Sequence, residues 1–287
     1  MIKFKEKAMH GILFFTAVAS IGAVTLICVF LVANSLPVFK EIGLVDFLFG
    51  VKWAPSDIPA SYGIFSMIVG SIYVTAGAII IGVPIGILTS VFMAFYCPKR
   101  MYKILKPATN LLAGIPSVIY GFFGMVVIVP LVRNIFGGNG NSILSANILL
   151  GIMILPTIVG VSESALRAVP NQYFEGALAL GANKERAIFR TVLPAAKSGV
   201  LAALVLGIGR AIGETMAVIM VAGNQARIPT SIFNGVRTLT ANIVIEMSYA
   251  AELHRQALIA TGVVLFVFIL IINISFSVIS NRKKGDA

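Results

Sequence analysis

The sequence predicts an all-α membrane protein of six transmembrane helices with both termini in the cytoplasm, and three observations carry that prediction. Of 287 residues, 58% are hydrophobic and 11% are charged, with a mean hydropathy of +0.98. A soluble domain of this length carries about twice that charged fraction. The charges are also clustered, leaving residues 11–39, 58–98, 107–132, 134–162 and 256–281 free of Asp, Glu, Lys and Arg, while a sixth stretch, 198–226, is interrupted only by Arg210 and Glu214. Finally, the basic residues collect on alternate loops.

Each stretch exceeds the roughly 20 apolar residues that cross a bilayer core of about 30 Å. Spans are therefore expected near 12–36, 64–94, 108–132, 145–166, 199–222 and 257–279. The second stretch is long for one span and includes interfacial backbone before Tyr62. The first has an apolar run about twice as long as a signal-peptide core and no small-residue cleavage site behind it, so it is expected to stay as a signal anchor.

The net charge of +11 describes topology and not a nucleic-acid footprint. Lys3, Lys5 and Lys7, the 95–107 loop, the 167–197 segment and the tail at Arg282, Lys283 and Lys284 hold 15 of the 22 basic residues. The opposite loops hold six, Lys40, Lys52, Arg133, Arg227, Arg237 and Arg255. Positive loops stay inside, which places both termini in the cytoplasm and agrees with an even number of spans. Cys28 and Cys97 fall in the first span and at a cytoplasmic helix end, so no disulfide between them is expected. His10 and His254 lie at opposite faces, and no metal-ligand cluster, cofactor motif or catalytic constellation is evident. The absence of any GxxxxGK[ST] segment argues against a nucleotide site on this chain.

Several spans carry breakers: GVPIG at 82–86, AGIPSVIYGFFG at 113–124 and ILPT at 154–157. Proline frees backbone groups that lipid cannot satisfy, so these segments are expected against neighbouring helices or a water-filled path. Ordinary helix kinking is the alternative for any one of them. On the outer side, 39–62 reads as an ordered loop with an interfacial Trp53, and 133–144 as a Gly/Asn turn. A short surface or re-entrant helix is expected from near Thr240 or Asn242, with a simple connector as the alternative.

Between spans four and five, residues 170–194 read PNQYFEGALALGANKERAIFRTVLP. A plain connection needs only a few residues. Here two helix-favouring halves meet at Gly181, with Pro170 opening the first and Pro194 marking the turn into the fifth span. Leu178 and Leu180 give the first half apolar surface, against which Ile188, Phe189 and Leu193 are expected to pack. The result is a small cytoplasmic knob suited to a groove on a partner protein, although an interfacial hairpin without a partner is also compatible with the pattern.

The order Glu175-Gly-Ala177, Gly181-Ala182, Phe189 and Pro194 resembles the EAA loop of ABC importer permeases, with Gly176 where that family's name implies alanine. AGIPSVIYGFFG, GRAIGETMAV and VRTLTANIVIEMSYA further resemble a permease subunit, C-type rather than A-type, of phosphate importers of the Pst type. The resemblance covers residues 64–280. It implies the type I ABC importer permease fold, with residues 1–62 forming an N-terminal helix and outer loop and 63–287 the permease core. It also implies a heterodimer with a second permease, two ATPase subunits docked on the knobs, an extracytoplasmic phosphate-binding protein, and a place in a bacterial or archaeal cytoplasmic membrane. Glu175, Ala177, Gly181, Ala182, Phe189 and Pro194 would then couple to the ATPase.

Arg210 and Glu214 are the candidate substrate contacts. On a continuous helix they lie about 40° apart and one turn along the axis, on a face that also holds Ala203, Gly207 and Ala217, with Gly209 and Gly213 at its edge. A central Arg costs about 2.5–3.5 kcal/mol on insertion scales, so a buried charge here is a functional candidate, with a helix-locking ion pair as the alternative. An Arg fork matches an oxyanion, and a carboxylate accepts a hydrogen bond from a P–OH group that sulfate lacks near neutral pH. Sulfate or molybdate import, or secondary transport, are the competing functions. Glu163 and Arg167 read as a helix-end salt bridge, and Ser117, Tyr120, Thr157 and Ser162 as unranked polar residues beside the breakers.

Overall fold

A computed structural model describes residues 2–282. Lys283 and Lys284, and the side chains of Lys3, Lys5, Lys7 and Arg282, lie outside the described residues. The chain begins with α1 (Ile2–Glu41), followed by the short α2 (Leu44–Phe49) and a two-residue hairpin, β1 (Trp53–Ala54) paired antiparallel with β2 (Ser61–Tyr62). Next come α3 (Phe65–Val91), α4 (Lys99–Gly114), α5 (Ser117–Phe123), α6 (Val129–Phe136) and α7 (Ile143–Arg167). The knob contains α8 (Asn171–Ala179), α9 (Lys184–Ala187) and α10 (Leu193–Ala195), and leads into α11 (Lys197–Gly213). The chain ends with α12 (Met216–Val221), α13 (Leu239–Glu246) and α14 (Glu252–Arg282).

Among the described residues, five helical stretches are long and apolar enough to cross a membrane: Met9–Glu41, Phe65–Tyr96, Ser117–Phe136, Ile143–Arg167 and Glu252–Ser275. The pair Lys184–Ala195 and Lys197–Gly213, bent by 71°, supplies a sixth when counted as one span. The centre of the bundle is α7, whose Leu149, Leu150, Met153, Ile154 and Ile158 are fully buried. The chain's small residues make that possible. Gly82 and Gly86 of α3 lie against Ile154 and Ile158, and Gly207 of α11 meets Ile158 from the other side. The first span is exposed over its apolar window and packs on α14.

Two expected spans are corrected. The third does not begin at 108. Pro116 biases the preceding residue towards extended backbone, and Ile115, at φ −69° and ψ 128°, ends α4. The span runs instead from Ser117 to Phe136, and the basic 95–107 segment expected as a loop lies largely in α4. The fifth expected span, 199–222, is not one helix. It stops at Gly213, passes through an extended Glu214 (φ −70°, ψ 130°) and resumes at Met216.

Among the described residues, segments assigned to the same side by charge meet one another. In the cytoplasmic set, Arg167 and Lys184 donate to the carbonyls of Met93 and Phe95. In the outer set, the hairpin, the 223–238 loop, α13 and the start of α14 meet. There Trp53, expected at an interface, is buried, and its indole donates to Glu246 at 2.8 Å. The same carboxylate pairs with Arg237 at 2.6 Å and His254 at 2.8 Å. The helix expected from 240 or 242 is α13, whose N-cap Thr238 accepts from the Ala241 amide. Its Leu239, Thr240, Ala241, Asn242 and Glu246 are buried, so it packs inside the protein and is not a surface helix.

Candidate functional site

The break after Gly213 is built from the residues GET themselves. Glu214 turns its carboxylate back so that Oε1 accepts from the amides of Thr215 and Ala217, at 3.1 and 3.2 Å. The Thr215 hydroxyl donates to the Gly213 carbonyl at 3.2 Å, and Thr240 of α13 donates to the Glu214 carbonyl at 3.2 Å. Four backbone groups at the break, the amides of Thr215 and Ala217 and the carbonyls of Gly213 and Glu214, are thereby satisfied inside the protein, as irregular backbone within a membrane span requires. The Thr240 contact also ties the break to α13, which is anchored on α3 by the Leu239 amide donating to Ser71 Oγ at 3.0 Å.

The expected Arg210–Glu214 pair on one helical face is therefore not formed. Glu214 no longer continues the helix that carries Arg210, and no ion pair joins them among the described residues. Arg210, half-buried in the last turn of α11, instead donates through Nη1 to the Thr157 hydroxyl of α7 at 3.3 Å. That is one hydrogen bond for a group with five donors. The small-residue face also divides. Ala203 and Gly207 are buried, Gly207 against Ile158 of α7, whereas a Cβ added at Gly209 or Gly213 would meet open space. Arg210 thus sits on α11 between two glycines whose sides are open, and Glu214 follows Gly213 in the chain with one carboxylate oxygen on backbone amides. A group of this kind can take an oxyanion on the guanidinium and a protonated oxygen on the carboxylate.

Of the four unranked polar residues, Thr157 is brought to Arg210. Tyr120 donates to the Leu112 carbonyl at 2.9 Å, bridging the break between α4 and α5. Ser162 is buried without a hydrogen-bond partner, and the structure gives Ser117 no contact with Arg210. Thr157 could be found in the sequence only as a polar residue beside Pro156, since its distance to Arg210 is a matter of tertiary packing.

In the knob, α8 ends in a motif that accounts for the sequence spacing. Gly181 adopts φ +85°, its amide donates to the Leu178 carbonyl at 2.9 Å, and the Ala182 amide donates to the Ala177 carbonyl at 3.1 Å. These are the two hydrogen bonds of a Schellman cap, which places glycine at the left-handed position. The packing differs from expectation. Leu178 and Leu180 face outward, Leu180 at 91% exposure, and Phe189 is 41% exposed. It is Ile188 and Val192 that are buried, with Val91, Leu166, Ala196 and Val200, while Phe174 stacks on Phe95 at 6.2 Å. Glu175 and Pro194 are exposed, and Ala177 and Ala182 half-buried. The knob thus grips the end of α3 and the turn after it with one face and leaves Leu178, Leu180 and Phe189 outward among charges of both signs, Glu175, Glu185, Arg186 and Arg190.

Glu163 makes more than the expected helix-end pair. Its side chain is 1% exposed and binds Arg167 at 2.8 Å, Lys106 at 2.6 Å and the Tyr102 hydroxyl at 2.6 Å. The hydrogen bond to Glu163, then burial and the Glu163 charge, hold the Tyr102 phenol above its ordinary range, against the opposing charges of Arg167 and Lys106. Tyr102 therefore remains a donor.

Comparison with known proteins agrees with this architecture. The family model for the inner membrane component of binding-protein-dependent transport systems matches residues 82–285. The chain is 37% identical over 273 residues to the probable ABC transporter permease protein YqgH of Bacillus subtilis, covering 93% of this chain and 88% of that one. It is 34% identical over 265 residues to the probable phosphate transport system permease protein PstC of Methanocaldococcus jannaschii (84% and 82%), and 33% identical over 267 residues to the phosphate transport system permease protein PstC of Mesorhizobium japonicum (86% and 81%). Among solved structures, the fold matches a chain of the bacterial alginate ABC transporter in complex with its pentasaccharide-bound periplasmic protein, with a TM-score of 0.63, 18% identity and 94% of each chain covered. It also matches the MetNI methionine ABC transporter, with a TM-score of 0.57, 19% identity, and 77% and 94% coverage. With the fold of a type I ABC importer permease and matches over most of its length, the chain belongs to the family of binding-protein-dependent transport system inner membrane components.

Proposed function

We propose that the chain is a permease subunit of an ATP-driven importer of inorganic phosphate. The observation that carries this reading is Arg210, a half-buried guanidinium at a helix break within a membrane span, using one of its donors on Thr157. Breaks of this kind form sites where helix ends and unwound backbone meet a solute at membrane depth. Arg210 holds the anion. Glu214, with one oxygen fixed on backbone amides, offers the other to a P–OH group, which favours phosphate over sulfate and keeps the site weak enough to release its cargo. The PstC relatives named for phosphate transport support the substrate.

In this reading a second, non-identical permease faces the open side of α11 and completes the pathway. Two ATPase subunits dock on the knobs, where Glu175, Ala177, Gly181, Ala182, Phe189 and Pro194 form or shape the contact. An extracytoplasmic phosphate-binding protein delivers cargo at the end bearing the hairpin and α13. The chain contributes no ATPase site of its own, and the assembly sits in the cytoplasmic membrane of a bacterium or archaeon.

The test is uptake of radiolabelled phosphate into proteoliposomes holding the complete complex. ATP-dependent accumulation is expected, unaffected by excess sulfate or molybdate. Accumulation without ATP would indicate a secondary transporter, and competition by sulfate or molybdate would reassign the substrate.

A further inference from the structure

The Glu163 cluster lies between the knob and the pathway, and its geometry suits a mechanical role. Three structural elements end at it. The π-helical turn that follows α3 (Phe92–Tyr96) supplies the Met93 carbonyl to Arg167 Nη2 at 2.8 Å. The cytoplasmic end of α7 supplies Glu163 and Arg167, and α4 supplies Tyr102 and Lys106. That same turn is what the knob holds, through Phe174 stacked on Phe95 and Lys184 donating to the Phe95 carbonyl at 3.0 Å.

α4 is attached in an unusual way. None of its 16 residues is buried. The residues it turns toward the protein are the half-buried stripe Tyr102, Leu105, Lys106 and Thr109, while Ile104 and Leu111 face outward at 72% and 74% exposure. With little apolar burial on α7, the two polar bonds to Glu163, from Tyr102 and Lys106, dominate its attachment at one end. At its other end the Leu112 carbonyl accepts from Tyr120 of α5. α5 in turn packs tightly on α12, where a Cβ on Gly121 would stand 3.0 Å from the Ala217 Cα, and α12 is the short helix that Glu214 caps. A helix of 16 residues is about 24 Å long, enough to carry a displacement from the membrane edge towards its middle.

We infer that Glu163 is the joint through which movement of the cytoplasmic knob reaches α4, and through α4 the helix break at Glu214. Glu163 is thus a positioning residue that couples ATP hydrolysis to opening of the pathway. The inference rests on the importer reading above. A fully buried carboxylate with two cations and a phenol is held in one arrangement, so displacement of α3 and α7 is passed to α4 rather than absorbed.

The experiment uses the complete complex in proteoliposomes, measuring phosphate uptake and ATP hydrolysis in one preparation for wild type, Glu163→Gln and Tyr102→Phe. A second readout follows a fluorophore on Leu111→Cys, in a Cys28→Ala, Cys97→Ala background, as nucleotide is added. In Glu163→Gln, phosphate moved per ATP should fall about tenfold, near the low end of ordinary coupling between sites, with basal hydrolysis within about twofold of wild type. Tyr102→Phe should lose about threefold in the same direction, as for one hydrogen bond. The nucleotide-induced change at Leu111 should vanish in Glu163→Gln. If uptake and hydrolysis fall together, Glu163 is only structural, and if neither variant changes the ratio there is no joint. A wild-type complex in which nucleotide leaves the Leu111 signal unchanged also overturns the inference. A wild-type signal that responds to nucleotide while phosphate is not taken up overturns the substrate reading instead and leaves the joint standing.

Discussion

Arg210 and Thr157 are 53 residues apart in sequence, yet the guanidinium of one donates to the hydroxyl of the other at 3.3 Å, joining α11 to α7 at the level of the helix break. Thr157 follows Pro156 inside α7, so the contact falls where the helical ladder already lacks an amide. We expect this bond to fix the direction of the Arg210 fork. Thr157→Val, which keeps the shape and removes the acceptor, should raise the phosphate KM about tenfold, the scale of one hydrogen bond to a charged group. Thr157→Ser should restore it. Arg210→Ala should abolish uptake with the complex still assembled. Normal transport by Arg210→Gln would remove Arg210 from the list of anion contacts.

Glu214 is expected to act twice, and two variants separate the roles. Its Oε1 caps the short helix α12 through the Thr215 and Ala217 amides. Glu214→Gln retains an oxygen to accept from those amides, so the break persists, but the remaining NH2 is a donor and cannot accept from a P–OH group. Uptake by Glu214→Gln should become sensitive to competing sulfate. Glu214→Ala loses the cap as well, at about 1 kcal/mol, and should lower the melting temperature of the complex. A Gln variant that still ignores sulfate would confine Glu214 to capping.

The spans that the sequence shows well are those set by apolar length alone. α7 (Ile143–Arg167) and α3 (Phe65–Val91) fall within a few residues of the expected 145–166 and 64–94. The knob was also legible, because Pro170, Gly181 and Pro194 punctuate it locally. The errors arise where partners distant in the chain decide the outcome. Apart from Arg210 and Glu214 the apolar stretch gives no sign of a stop at GETMAV, and the break there depends on Glu214 bonding backbone amides and on a hydroxyl 26 residues later, at Thr240. α4 was missed because its Lys-rich first half reads as a loop until Glu163, 57 residues beyond Lys106, supplies the counter-charge. Leu178 and Leu180 were placed inward on composition, whereas the burial belongs to Ile188 and Val192 against α3 and α7.

The Schellman cap on α8 predicts a local effect at Gly181. At φ +85° an alanine Cβ is strained whatever the space around it, and the cost of such a replacement exceeds about 1 kcal/mol. A Cβ there meets no neighbour within 4 Å, so the fold of the membrane domain should survive Gly181→Ala. The expected result is a complex of normal melting temperature with weaker ATPase association, measured by co-purification at rising salt. Gly176→Ala, also unobstructed and within α8, should leave association unchanged or strengthen it through better helix propensity. Equal behaviour of the two variants would detach the cap from ATPase docking.

At the outer end, the order of stability effects follows from burial. The Glu246 carboxylate is 7% exposed and serves Trp53, Arg237 and His254 at once, while Arg237 is 17% exposed. Removing it leaves a largely buried guanidinium without a counter-charge, a change that costs about 3–5 kcal/mol. Trp53→Phe deletes one hydrogen bond to that carboxylate and should cost about 1.5–3 kcal/mol. The Lys52–Asp57 pair on the same hairpin is just as short, at 2.7 Å, but its side chains are 68% and 51% exposed. Exposed pairs contribute about 0–1 kcal/mol, so Lys52→Ala should be nearly silent. Melting of the purified complex should therefore rank Glu246→Ala below Trp53→Phe and both below Lys52→Ala, which should match wild type. If Lys52→Ala were as damaging as Glu246→Ala, the hairpin would be held by its own surface charges, and the Glu246 cluster would not be what seats it on α13 and α14.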